Sequence, residues 1–232
     1  MYFLNDLESL QVTRVLIDGE VVAENSRATF DLPPFEYPDW VTHSMHLDKK
    51  LTTGSFAVPA PEGVVDGTVR VRAIEVIPGK VGTIEAHVDL PVVDSRLESD
   101  LEQDTLKTFV FERHHEMGTY GYGFVKSFGI KRGAMASTVA HDAHNLLVVG
   151  TNDEDMALAA NTLAACGGMV VVADGKVLGQ VELPIAGLMD TLDAATMSEK
   201  VHQLEKTWAE IGCTMPSPFM TMALIPLACL PS

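Results

Sequence analysis

Residues 133–151, GAMASTVAHDAHNLLVVGT, constrain the fold of this chain more than any other stretch. Two apolar runs, 133–140 and 145–151, flank a polar link, AHDAHN. Each run is too short for a buried helix and has the length of a strand apolar on both faces. Such strands belong in the interior of a sheet covered on both sides. The link between them reads as a turn, because Asp142 and Asn145 are ordinary turn residues.

The rest of the chain extends this pattern. VTRVLIDGEVVAEN reads as a β-hairpin around Asp18-Gly19, a pair suited to the positive φ angles of a type I′ turn. DLPPFEYPDW, with Pro33, Pro34 and Pro38, should be extended and irregular. A second breaker run, VPAPEGVVDGT at 58–68, suggests a domain boundary near residue 60. TVRVRAIEVI (68–77) alternates apolar and charged residues as a half-buried strand does. Segments 83–92 and 106–115 read as further strands. MVVVADGKVLGQVELPI reads as another hairpin around Asp174-Gly175.

Two helices stand out. The first is capped by Asn152 and stopped by Gly167, with Met156, Ala159, Ala160 and Leu163 on its apolar face. The second begins at Thr196, which with Glu199 fits a capping box, and Gly212 ends it. Val201, Leu204, Trp208 and Ile211 form its stripe. The expected fold class is α+β. A mixed β-sheet domain with two main helices, residues 61–232, follows a small β-rich segment, residues 1–60.

Charge and composition exclude some functions. Hydrophobic residues make up 47% of the 232 and charged ones 21%, a globular profile rather than a disordered one. The formal net charge of −16 repels phosphate backbones, so nucleic acid is not an expected partner. No apolar run reaches the length of a membrane span, and MYFLNDLESL lacks the pattern of a signal peptide. Cys166, Cys213 and Cys229 form no CxxC pair, which fits reduced thiols in a cytoplasmic protein.

Two clusters could carry chemistry. His141, Asp142 and His144 could converge on a metal, with Asp142 as ligand or orienting partner. The simpler reading is that they are turn residues with hydrogen-bonded imidazoles, and no metal is expected on them. The second cluster, ERHHEMGTYGYGFVKSFGIKRG at 112–133, holds Glu112, Arg113, His114, His115 and Glu116 among glycines. It contains no GxGxxG or P-loop pattern, so a Gly-rich hairpin is the simpler reading. Asp153, Glu154 and Asp155 complement a helix dipole and would repel phosphate. Neither GxSxG nor HExxH occurs. Cys166 and His202 read as packing residues.

The central block GYGFVKSFGIKRGAMASTVAHDAHNLLVVGTNDEDMALA, with VLIDGEVVAEN, DLPPFEYPDWV, GGMVVVADGKV, LPIAGLMD and PSPFMTMALI, resembles the C-terminal region of bacterial adenine deaminases of the amidohydrolase superfamily. The resemblance implies hydrolysis of adenine to hypoxanthine and ammonia by a metal-activated water in a (β/α)₈ barrel that precedes this region. It implies iron, manganese or zinc in that barrel, on an HxH pair and further residues. This sequence has no HxH: His43/His46, His114/His115 and His141/His144 are spaced differently. No cofactor is therefore expected on this chain, whose first 60 residues resemble the β-sandwich tail that returns after the barrel. By the resemblance, Met1 falls where the barrel would already have ended, so the chain alone is expected to be inactive. The expected partners are an amidohydrolase barrel, in cis or trans, and a second copy of the chain covering Val15, Ile17, Val21 and Val22. The side chains expected to face the active site are Arg113, His114, His141, Asp142, His144 and Asn145. An interaction module, or an independent metal- or ligand-binding domain, stays open beside this reading.

Overall fold

The structure, a computed structural model, describes residues 1–31 and 33–229. The chain divides into two compact units, Met1–Tyr37 and Pro38–Ser232. Leu32, within the proline-rich stretch, lies outside the described residues.

The first unit is an antiparallel sheet of β1 (Tyr2–Leu4), β2 (Val12–Ile17), β3 (Glu20–Glu24) and β4 (Arg27–Ala28), paired in that order. Asp18 and Gly19 join β2 to β3 with φ of 51° and 87°, as a type I′ turn requires. Arg14 and Glu24 pair across the two strands at 2.8 Å.

The second unit begins with α1 (Asp39–Thr42) and a 3-10 turn at Thr53–Phe56. Strands β5 (Val58–Pro59), β6 (Gly67–Val76), β7 (Thr83–Val93), β8 (Arg96–Leu97), β9 (Thr105–Phe111), β10 (Tyr120–Lys126), β11 (Ala134–Ser137) and β12 (Leu146–Gly150) follow. Then come α2 (Asp153–Leu163), β13 (Gly168–Ala173), β14 (Lys176–Glu182), α3 (Ala194–Glu210) and α4 (Pro218–Leu224). The ten strands form one sheet in the order β14-β13-β11-β12-β9-β10-β6-β7-β8-β5. The β10–β6 pair is parallel and the others antiparallel, so the sheet is mixed and the fold class is α+β, as expected.

Two cores flank this sheet. On one face Phe56, Phe109, Phe111, Leu146, Val148 and Val170 pack with Met156, Ala160 and Leu163 of α2. On the other, Leu106, Val125, Met135, Leu147, Val149 and Val171 pack with Leu204 and Trp208 of α3 and Met222 of α4. β11 and β12 are buried along their whole length. That is why 133–151 shows no alternation.

Three expectations are corrected. The units divide between Tyr37 and Pro38 rather than near residue 60, because Leu51, Phe56 and Val58 belong to the core of the larger one. The second long helix starts at Ala194, not Thr196: Asp193 caps it, accepting from the backbone N–H of Ala195 and Thr196. The Thr196 hydroxyl donates to the same carboxylate at 2.6 Å. His202 is exposed rather than packed, its Nδ1 2.7 Å from the carbonyl of Ser198.

The expected first helix is α2. The Asn152 side chain accepts from the N–H of Asp155, and Gly167 follows with φ of 64°. Its acidic first turn is structural. Asp155 is buried and accepts from the N–H groups of Asp174 and Gly175, fixing the β13–β14 turn. Asp153 pairs with Lys107, which is fully buried and lies 2.9 Å from Glu98 on its other side.

Candidate functional site

Residues 138–145 form a tight loop between β11 and β12, held by its own backbone and by three neighbouring segments. Thr138 is fully buried. Its hydroxyl donates to the carbonyl of Gly187 at 2.6 Å and accepts from the N–H of Gly168 at 2.7 Å. The N–H of His141 donates to Ala223 in α4, and that of His144 to Ala140. A segment with this many anchors holds its side chains in fixed places.

Arg113 is the strongest anchor. It is 1% exposed. Its Nε donates to the carbonyl of His144 at 2.6 Å, Nη1 to that of Ser44 at 2.9 Å and Nη2 to that of Ala186 at 2.9 Å. One guanidinium thus ties three loops, a task suited to a planar fork of donors. Gly187, at φ of 71°, leaves room for it: a Cβ there would meet Nη2 at 2.9 Å. Burial pushes the Arg113 pKa down, and Glu112 pulls it partly back.

The histidines differ in environment. His114 is exposed, and its Nε2 lies 2.8 Å from the carbonyl of Ala143, so that nitrogen carries the proton. The His141 and His144 rings are 5.6 Å apart. His141 is partly exposed, its Nδ1 3.9 Å from the Asp142 carboxylate, which points to solvent. His144 is held below the usual histidine pKa by burial, then by His141 and Arg113. Its Nδ1 and the Oδ1 of Asn145 are buried without a hydrogen-bond partner among the described residues. Glu112 accepts from the N–H groups of His114, His115 and Met117, and stays ionised below the usual carboxylate range despite desolvation.

Two cavities flank the loop. One, of about 420 Å³, is lined by Trp40, Val41, Ser44, His46, Arg113, His114, Ala143, His144, Ala186 and Leu188. The other, of about 350 Å³, is lined by His141, Asp142, Asn145, Val110 and residues 226–229 among others. The structure therefore brings together all six side chains singled out in the sequence, but on two sides of one loop.

The metal reading of His141, Asp142 and His144 lacks a ligand set. Among the described residues no three His, Cys, Asp or Glu side chains converge to hold an ion. Cys166 is half-buried, its Sγ 3.3 Å from Gln180 Nε2, and burial raises its pKa, so it is no activated thiolate. Sequence reasoning missed Trp40, Ser44, His46 and Ala186. They lie far from the loop along the chain; Ser44, His46 and Ala186 join it through Arg113, and Trp40 lines the same cavity, which no local pattern reveals. Among the described residues no helix is long and apolar enough to cross a membrane.

An α+β domain with a buried arginine knotting a histidine-rich loop is the class this geometry defines. Residues 80–232 match the family model described as "Adenine deaminase C-terminal domain". The chain belongs to that family. It is 58% identical over 230 residues to an adenine deaminase of Clostridium botulinum, covering 99% of this chain and 38% of that protein. It is 49% identical over 230 residues to one of Moorella thermoacetica and 36% over 229 residues to one of Desulforamulus reducens, covering 38% of each. The chain thus spans about two fifths of the length of the curated relatives it matches and corresponds to their C-terminal part.

Proposed function

We propose that this chain serves as the C-terminal portion of an adenine deaminase, in which a metal-bearing barrel, joined to it or separate, hydrolyses adenine to hypoxanthine and ammonia. The observation that carries this reading is the match along nearly the whole chain to proteins named adenine deaminase. The donor set supports a division of labour. The described residues offer no ligand set for an iron, manganese or zinc ion. The barrel would supply the activated water, and this chain would supply fixed polar groups at its mouth. His141 and Asp142 suit that role. They are partly to largely exposed on a loop whose backbone is immobilised from beneath. A rigid wall there would exclude water from the reacting purine.

The test is paired. His141→Ala and Asp142→Ala should change the unfolding midpoint of this chain little, because both side chains reach solvent. The matching changes in a full-length relative should lower kcat/KM at least about tenfold, equivalent to 1.4 kcal/mol. Unchanged kcat/KM in the full-length enzyme would sink the proposed role of the loop. The chain alone should not deaminate adenine when iron, manganese or zinc is added.

A second reading, an assembly module, is favoured by the apolar surface of the first unit. Tyr2, Leu7, Leu10, Ile17 and Phe35 are all at least 59% exposed.

A further inference from the structure

The 420 Å³ cavity beside the loop has a chemistry that the deaminase reading does not use. Arg113 lines it and is almost wholly buried, yet it enters no ion pair among the described residues. Its three bonds go to neutral carbonyls and leave further guanidinium hydrogens unassigned. The Glu112 carboxylate offsets its charge through space, but a buried cation is ordinarily paired directly. Nearby acids make their hydrogen bonds elsewhere. Glu112 is occupied by three backbone N–H groups, and Glu116 approaches only His46, at 4.0 Å. Asp142 belongs to the other side of the loop. His46, His114 and His144 add three imidazoles to the same wall, and His144 Nδ1 is buried without a hydrogen-bond partner among the described residues. The remaining wall is apolar, with Trp40 76% exposed and Leu188 beside it.

We infer that this cavity binds a small oxyanion carrying an apolar group, a carboxylate or a phosphate monoester, with its charge toward Arg113 and its apolar part against Trp40 and Leu188. A pocket of this volume suits a small molecule, and converging polar donors within apolar walls are the usual design of such sites. The Arg113 charge gives an anion an attractive place on a chain of net charge −16. The inference does not depend on deamination, and its test uses this chain alone.

The test is calorimetric titration of the full chain with inorganic phosphate, phenyl phosphate and benzoate, at ionic strength held constant with sodium chloride. Phenyl phosphate or benzoate should bind saturably, one per chain; which is tighter tells phosphate from carboxylate. Arg113→Lys should weaken binding at least about tenfold, or 1.4 kcal/mol. Because Arg113 also holds the fold, Trp40→Ala and His114→Ala, at exposed positions, serve as the second pair of variants. Each should weaken the aryl probes several-fold while leaving the unfolding midpoint near that of the parent. Absence of saturable heat with both aryl probes, or affinities unaltered in both exposed variants, would overturn the proposal. Phosphate binding as tightly as phenyl phosphate would overturn the assignment of an apolar group.

Discussion

The Nε of Arg113 donates to the carbonyl oxygen of His144 at 2.6 Å, joining residues 31 positions apart. The same guanidinium holds Ser44 and Ala186. Replacing it by alanine leaves three carbonyls short of a donor, at roughly 1 kcal/mol net for each. Arg113→Ala should therefore destabilise the chain by about 3 kcal/mol or more, read from the denaturant midpoint. Arg113→Lys should recover only part of this, because a point-like ammonium cannot span three separated acceptors.

The environment of His144 predicts a pH dependence. Its folded-state pKa is depressed by burial and by the charges of His141 and Arg113. The unfolded chain therefore binds a proton first as pH falls. The stability contributed by neutral His144 is complete above about 6.5, the ordinary histidine value, and is lost as pH drops through the lower folded value. The depressed carboxylates, Asp6, Asp100, Glu112 and Asp193, act in a lower window, as pH falls beneath the ordinary carboxylate range. Stability measured between pH 7 and 5 should fall in the parent and fall less in His144→Gln. An NMR titration placing the His144 midpoint at or above the ordinary value would contradict this.

These relationships show what the sequence reveals and what it hides. The turns at Asp18-Gly19 and Asp174-Gly175 and the Asn152 cap are local, and each is present at the expected residues. Buried β11 and β12 were legible from their continuous apolar runs. The third helix was less so, because Asp193 outcompetes Thr196 as its cap. Helix α4 was missed, since Pro218–Leu224 is too short to show a period. Arg113 was expected to face the active site, and nothing in the sequence marked Lys107 or Arg113 as buried. Their burial depends on Glu98, Asp153, Ser44 and Ala186, which only the tertiary fold brings to them.

Gly187 should be intolerant of a side chain. Its φ of 71° disfavours L residues, and a Cβ would meet the Arg113 guanidinium at 2.9 to 3.1 Å. Gly187→Ala should cost about 1 kcal/mol for the backbone alone, and more because Arg113 is displaced. A double-mutant cycle with Arg113→Lys should show coupling, since the two residues share one contact. Additive losses would mean that Gly187 acts only through its backbone.

Lys107 poses a buried-charge question. It is fully buried in strand β9, paired with Glu98 at 2.9 Å and with Asp153. Truncation to alanine removes the cation and opens a cavity. A loss of about 3 kcal/mol is expected, toward the low end for breaking a buried pair because both carboxylates reach solvent. Lys107→Met fills the volume and should lose less, and Lys107→Met with Asp153→Asn should recover stability relative to the single change. If the double variant is no better than Lys107→Met, the stranded Asp153 carboxylate is not what the single change costs.

The first unit predicts association. It has 37 residues, and Tyr2, Leu7, Leu10 and Ile17 are 59% to 84% exposed. So small a unit buries little of its own apolar surface, and exposed patches of this kind mark interaction sites. Strands with exposed faces and open edges pair readily with another copy. We expect a homo-oligomer, most simply a two-fold dimer, with Val15, Ile17, Val21 and Val22 at or near the contact. Light scattering should give about twice the chain mass, falling toward that of a single chain on dilution. Ile17→Glu should shift the equilibrium to the monomer while the circular dichroism of the larger unit stays unchanged. A strictly monomeric mass at high concentration, with the first 37 residues intact by mass spectrometry, would refute the assembly reading.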